Sequence, residues 1–262
     1  MIELLEHPLS PYAQKVRIAL DEKGVRYALR TPDAIGSGQA SEDFRKANPR
    51  LEVPVLYCEG QAIFDSTIIL EFIEDRFPDP PLLPPTAADR ARVRMIEDLC
   101  DTHYEAITWG LSEIANFRRA TGEQAQALQV RAAEELAQLH DWLEGQLGDR
   151  PWFNGEHFGW GDLSVAPYVA GAVGFGIPPG AGPLSDWFSR AAARPSVAAA
   201  LEAAKASLSA MANVAVVVEA GLFKRQYRDH RLEWMIRSGG LSIVQDGIAR
   251  DNIRFNSAPV RG

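Results

Sequence analysis

Two short apolar runs, Val53-Pro54-Val55-Leu56-Tyr57-Cys58 and Gln61-Ala62-Ile63-Phe64, are separated only by Glu59-Gly60. An acidic-glycine pair between two β-type segments closes a tight turn, so the stretch predicts a β-hairpin. A hairpin needs further strands to bury its inner face, and the residues before it supply them. Residues 2–6 are apolar and loosely alternating, and read as a short strand ending at His7-Pro8. Ser10-Pro11 then starts a helix, with a hydroxyl at the cap and proline at the first helical position. Ala13, Val16, Ala19 and Leu20 recur at helical spacing until Lys23-Gly24, a basic last turn and a glycine stop. Residues 25–30 form a second strand, and a strand-helix-strand unit makes those strands parallel. Residues 31–50 are polar and read as a loop around one short helix near 42–46. After the hairpin, Asp65-Ser66-Thr67 caps a helix with Ile69, Phe72 and Ile73 on one face, ending near Arg76-Phe77-Pro78.

The run Phe77-Pro78-Asp79-Pro80-Pro81-Leu82-Leu83-Pro84-Pro85 cannot continue a helix. It divides the chain into residues 1–78, a linker at 79–87, and a second domain at 88–262. With 262 residues and 46% apolar content, two packed domains are the expectation. The second domain is helical in pattern over 88–119, 123–147, 162–173, 184–193 and 196–210. Beyond 213, Val214-Ala215-Val216-Val217-Val218 fits a strand or a helix equally. A basic run follows, Lys224-Arg225-Gln226-Tyr227-Arg228-Asp229-His230-Arg231, with apolar anchors from Trp234 to Ile248. Such a run usually forms a solvated face with a packed edge, and a lid over a pocket or a dimer contact are the other two readings.

Composition narrows the function. A formal charge of −8, from 27 basic and 35 acidic residues, argues against a partner held by its phosphates, so nucleic acid is not expected. No stretch approaches the ~20 apolar residues of a membrane span and the chain opens without a basic-then-apolar leader, so a cytoplasmic protein is expected, with no membrane partner. Cys58 and Cys100 lack CxxC spacing and read as two buried thiols. The five histidines form no ligand pairs, so no metal is expected. Gly171-Ala172-Val173-Gly174-Phe175-Gly176 follows a helix and precedes Pro178-Pro179, the wrong setting for a phosphate loop.

The order β-α-β-loop-β-β-α, a proline linker and an all-helical domain resembles the glutathione transferase superfamily over about residues 1–210. The matching motifs are Ser10-Pro11-Tyr12 leading into Val16-Arg17-Ile18-Ala19-Leu20, Asn48-Pro49 before Val53-Pro54-Val55-Leu56, Asp65-Ser66 opening the third helix, and Phe158-Gly159-Trp160-Gly161-Asp162. The resemblance implies a thioredoxin-like α/β first domain and an all-α second domain, a cytosolic serine-type bacterial member, glutathione as co-substrate, and a homodimer.

It also implies roles for particular residues. Pro54 corresponds to the family's cis-proline, which leaves Val53 to pair with the cysteinyl backbone of glutathione. Asp65 and Ser66, at a helix N-terminus, correspond to the residues that hold the γ-glutamyl end. Ser10 corresponds to the catalytic serine, which donates a hydrogen bond that favours the thiolate; Tyr12 is the rival hydroxyl. Disulfide exchange is disfavoured, because the cysteine that performs it in other classes is absent. Glu52 stands where many relatives have lysine or glutamine, and Leu51 where glycine is usual; a carboxylate at 52 repels the glycyl carboxylate by up to ~1 kcal/mol. Arg45, Lys46 and Arg50 are the nearby cations available to offset it. Asp162 retains half of a capping box, since Gly159 replaces the hydroxyl cap. The second-substrate pocket is expected between 9–12 and the fourth helix, at Leu9, His103, Tyr104, Ile107, Trp109 and Leu111. The implied activity is attack of the glutathione thiolate on a small, hydrophobic electrophile. Alternatives on the same fold are a non-enzymatic scaffold, a peroxidase and an isomerase.

Overall fold

The computed structural model describes residues 2–33, 40–210, 214–221 and 223–255. The loop read at 31–50 and the tail read at 213–262 therefore lie partly outside the described residues, at 34–39, 213, 222 and 256–262.

The first domain is a four-stranded sheet in the order β2-β1-β3-β4. β1 (Glu3–Leu5) and β2 (Ala28–Arg30) are parallel and joined by α1 (Pro11–Glu22). β3 (Val55–Cys58) runs antiparallel to β1 and to β4 (Gln61–Phe64). Glu59 and Gly60 both have positive φ, 52° and 84°, as a two-residue turn matched to strand twist requires. α2 (Glu42–Ala47) precedes β3, and α3 (Ser66–Arg76) follows β4. Ser10 caps α1, accepting from the Ala13 N–H at 3.3 Å, with Pro11 at the first helical position.

No regular element lies between α3 and α4 (Ala87–Leu99). The intervening segment is nonetheless pinned, because the Glu74 carboxylate accepts from the N–H groups of Leu82 and Leu83. The single helix expected over 88–119 is two helices. A π-helical turn at Cys100–Tyr104 separates α4 from α5 (Glu105–Ala115). α6 (Gly122–Leu147), α7 (Trp160–Gly174), α8 (Pro183–Ala192) and α9 (Pro195–Ala210) complete the helical layer. α7 is buried along most of its length and packs on both α1 and α4.

Asp162 organises the start of α7. It accepts from Gly159 N–H (3.0 Å), the surviving half of the capping box, and also from Phe153 N–H and Trp187 Nε1, both at 2.8 Å. Burial nevertheless raises its carboxyl to about 6. The missing cap hydroxyl has a steric reason, since a Cβ on Gly159 would stand 2.4 Å from the Leu82 carbonyl oxygen.

A buried ionic cluster joins the two domains. Lys15 of α1 reaches Glu97 at 2.5 Å and Asp101 at 2.6 Å. Glu97 also accepts from Thr67 Oγ1 (2.9 Å) and Trp160 Nε1 (2.5 Å), and Asp101 from the Tyr168 hydroxyl (2.7 Å). Cys58 and Cys100 are buried free thiols.

The tail is ordered around its own small sheet. The valine-rich segment left open above is helical, α10 (Val214–Glu219). β5 (Arg225–Gln226) pairs in parallel with β6 (Ile253–Arg254), and α11 (Asp229–Arg237) and α12 (Leu241–Ala249) lie between them. α11 packs on α5 through Trp234, which is buried against Gly110 and donates from Nε1 to Glu135 at 3.0 Å. A Cβ on Gly110 would lie 2.1 Å from the Trp234 ring. Gly110→Ala is therefore expected to lift α11, at a cost of about 1–3 kcal/mol. Hydrogen exchange should show faster exchange in α11 and unchanged protection in α7.

Candidate active site

A cavity of about 1110 Å³ opens between the α1 N-terminus, the loop before β3, the start of α3, the inner faces of α5 and α7, and the tail. Ser10, Tyr12, Glu52, Val53, Pro54, Asp65 and Ser66 all line it.

Ser10 stands at the mouth of α1. Its oxygen accepts from Ala13, so its own proton is left to donate into the cavity. His7 fixes the preceding turn, accepting from Leu9 N–H at Nδ1 (3.2 Å) while its carbonyl accepts from Ser10 N–H (2.8 Å). Burial lowers the imidazole's pKa, which keeps it neutral, as that acceptor role requires. Tyr12 is differently employed. Its hydroxyl donates to the Asp101 carbonyl at 2.7 Å, and burial pushes the phenol well above its usual range.

The Val53-Pro54 peptide is cis. Asn48, itself buried, orients the loop: its Nδ2 donates to the Glu52 carbonyl (2.7 Å) and its Oδ1 accepts from Arg50 N–H (3.0 Å). Leu51, where glycine is usual, holds the left-handed backbone that glycine favours, at φ 56°. Among the described residues, neither the N–H nor the C=O of Val53 has a hydrogen-bond partner. Asp65 caps α3 by accepting from Thr67 N–H at 3.2 Å and pairs with Arg50 at 3.3 Å. Ser66 is buried at the first position of that helix.

The cation beside Glu52 comes from an unexpected part of the chain. Arg45 donates to the Ala40 carbonyl, and Lys46 pairs with Glu42 at 2.6 Å. Glu52 instead accepts from Gln226 Nε2 at 2.6 Å and faces Arg228 at 4.0 Å, both in the tail.

The second-substrate expectation divides. Leu9 and Trp109 line the cavity, whereas Tyr104 and Ile107 do not. Both are core residues, 0% and 2% exposed, and the Tyr104 hydroxyl is bonded to His140 Nε2 at 2.8 Å. Tyr104, Ile107 and Leu111 stand three and four residues apart and form the stripe that the core takes. The cavity face is the neighbouring stripe, Asp101, Glu105, Thr108 and Ser112, at the same three- and four-residue spacing, with Trp109 beside it.

The basic run of the tail turns inward over this face. Arg231 reaches Glu105 at 2.5 Å, and His230 Nε2 meets the same carboxylate at 3.1 Å. Burial opposes the Glu105 charge, yet Arg231 and His230 overcome it and hold the carboxyl at about 2. Arg225 is bonded to Glu113, and the guanidinium groups of Arg225 and Arg231 sit 4.6 and 5.2 Å from the Trp109 ring centre. Among the described residues, no cluster of three or more His, Cys, Asp or Glu side chains could hold a metal ion, and no helix is long and apolar enough to cross a membrane.

Comparison with known proteins gives the family. The model for the glutathione S-transferase N-terminal domain matches residues 4–81, and that for the C-terminal domain matches residues 123–203. The tail lies beyond both. A probable glutathione S-transferase, GSTU1, from Oryza sativa subsp. japonica is 31% identical over 175 residues, covering 64% of this chain and 72% of the relative. A stringent starvation protein A homolog from Coxiella burnetii is 28% identical, covering 64% and 75%. Among solved structures, rice GST1 in complex with glutathione superposes with a TM-score of 0.67 at 28% identity, covering 82% of this chain and 96% of that one. A glutathione S-transferase from Rhodospirillum rubrum gives 0.66 at 29%, covering 75% and 90%. Fold order, cavity position and sequence similarity agree, and the chain belongs to the glutathione S-transferase superfamily.

Proposed function

We propose that this protein is a serine-type glutathione transferase that holds the peptide along Val53 and delivers its thiolate to a small electrophile. One observation carries the reading. The Ser10 hydroxyl, the open backbone edge of Val53 and the N-terminus of α3 with Asp65 and Ser66 all face one cavity.

A γ-glutamyl carboxylate fits the N–H groups at the start of α3, with its ammonium toward Asp65. The cysteinyl unit pairs with Val53 as a short antiparallel strand, which brings its sulfur toward Ser10. A thiol of pKa ~8.5 is mostly protonated at neutral pH, and a hydrogen bond to sulfur at a helix N-terminus favours the anion. The thiol proton leaves to solvent. The thiolate then forms the new sulfur–carbon bond while the leaving group departs with its electron pair, so Ser10 acts as a donor and not as the attacking group. The acceptor sits against Leu9, Trp109 and the cavity face of α5. We also propose that the protein works as a cytoplasmic homodimer, as its family suggests.

The reading is tested by calorimetric titration with glutathione and by conjugation of 1-chloro-2,4-dinitrobenzene. Saturable binding with turnover is expected. A second reading, an interaction protein on this fold, is favoured by the tail closing around Glu52. Absence of any glutathione binding selects that reading and rejects the transferase.

A further inference from the structure

At the end of the cavity beside Glu52, the tail brings two guanidinium groups to one carboxylate. Arg228 Nε lies 4.0 Å from Glu52 Oε1, while Gln226 already donates to that oxygen. Arg254 donates from Nη1 to the Arg50 carbonyl (3.2 Å), and from Nη2 to the Leu51 carbonyl (3.2 Å) and Gln226 Oε1 (2.5 Å). All three acceptors are neutral. The Nε of Arg254 is buried and has no partner among the described residues.

The neighbouring carboxylates do not make up the difference, because Asp65 is paired with Arg50, and Glu105 with Arg231 and His230. Over Glu52, Arg228 and Arg254 the sum is two cations against one anion, in a wall that faces the cavity. Burial accordingly lowers the pKa of Arg254, against the pull of Glu52. A partly desolvated guanidinium with only carbonyl acceptors, its Nε–H and one Nη1–H unused among the described residues, is half of a charge-assisted pair. A planar carboxylate has the shape and charge to complete it.

We propose that Arg228 and Arg254 form a seat for a ligand carboxylate, supplied by the tail and absent from the segments that match the family. Two sources present that group, the glycyl end of glutathione or an acidic acceptor substrate. The first rests on the glutathione reading above; the second does not.

The test compares two ligand pairs on the full chain by calorimetry or ligand-observed NMR. One pair is glutathione and its glycyl ethyl ester, and the other is 4-nitrobenzoate and 4-nitrobenzamide. The acid of at least one pair is expected to bind about tenfold or more tightly than its neutral counterpart, since a charge-assisted hydrogen bond carries that much. Arg228→Gln and Arg254→Gln should each bring the ratio toward one, while Arg254→Lys should keep most of it. Which pair discriminates identifies the source. Ratios near one in both pairs for the unmodified protein overturn the proposal, as does a ratio that persists in both glutamine variants. If glutathione fails to bind while nitrobenzoate is still preferred through the arginines, the transferase reading falls and the carboxylate seat stands.

Discussion

Glu105→Gln is expected to lower stability by about 3–5 kcal/mol, because it removes one member of a buried ion pair and leaves the other charge behind. Glu105 is 3% exposed on the cavity face of α5, and Arg231 of the tail spans both of its oxygens. The glutamine amide keeps the shape and one acceptor but not the charge. The tail should therefore loosen before the core does, giving a lower urea midpoint and early loss of protection in α11. A pH series supplies the sign. The Glu105 carboxyl is held at about 2 against an ordinary 4.5, so its contribution is complete above pH 4.5 and is lost as pH falls from 4.5 toward 2. The unmodified protein should lose tail protection across that window, and the variant should show a flatter dependence there. A destabilisation below about 0.5 kcal/mol, in the range of exposed pairs, would mean that the Arg231 contact is not buried in solution.

The first domain was legible because its signals are local. Ser10-Pro11 starts a helix, Lys23-Gly24 stops it, and Glu59-Gly60 closes a two-residue turn, each within a few residues of the structure it produces. The cavity wall on the helical side was not legible to the same degree. Tyr104, Ile107 and Leu111 are large and apolar and share one helical stripe, which the core takes, while the cavity takes the more polar stripe beside it, Asp101, Glu105, Thr108 and Ser112. The π-turn at Cys100–Tyr104 was not legible either, since neither glycine nor proline occurs in those five residues to mark it. Gly110 and Gly159 are glycines for reasons of close approach, to Trp234 and to the Leu82 carbonyl, that only the assembled fold reveals.

The tail was the hardest part to read. Its basic run has the composition of a solvated face, yet Arg225 and Arg231 turn inward because Glu113 and Glu105 wait on α5, more than a hundred residues earlier in the chain. Those glutamates look like ordinary surface residues until the arginines are placed against them. Glu52, read at first as a repulsive departure, likewise acquires its partners from Gln226 and Arg228. In each case the pairing that decides the side chain's direction is non-local, so neither segment alone carries the signal.

Ser10→Ala is expected to reduce kcat/KM for conjugation of 1-chloro-2,4-dinitrobenzene by about 10²–10³-fold, the usual cost of removing one preorganised donor from a developing or stabilised anion. Acidity alone does not account for that loss. If Ser10 and the α1 N-terminus lowered the thiol by about two units from ~8.5, the thiolate fraction at neutral pH would rise about 25-fold, but a less basic thiolate is also a poorer nucleophile, and a Brønsted slope near ~0.5 takes back about tenfold. The remaining factor comes from holding the sulfur in line with the acceptor, and it should persist at every pH. The acidic limb of the pH profile should move to higher pH in the variant, toward ~8.5, so that the deficit narrows but does not vanish above pH 9. Glutathione affinity should change little, since Val53, Asp65 and Ser66 hold the peptide elsewhere. Ser10 also caps α1, and losing the cap costs about 1 kcal/mol. Ser10→Thr keeps both hydroxyl and cap and should retain most activity, whereas Ser10→Gly spares most of the helix start but not the donor and should be as inactive as alanine. An alanine variant within about threefold of the parent, with its acidic limb in place, would remove Ser10 from the chemistry and turn attention to a backbone N–H of α1 as the thiolate's partner.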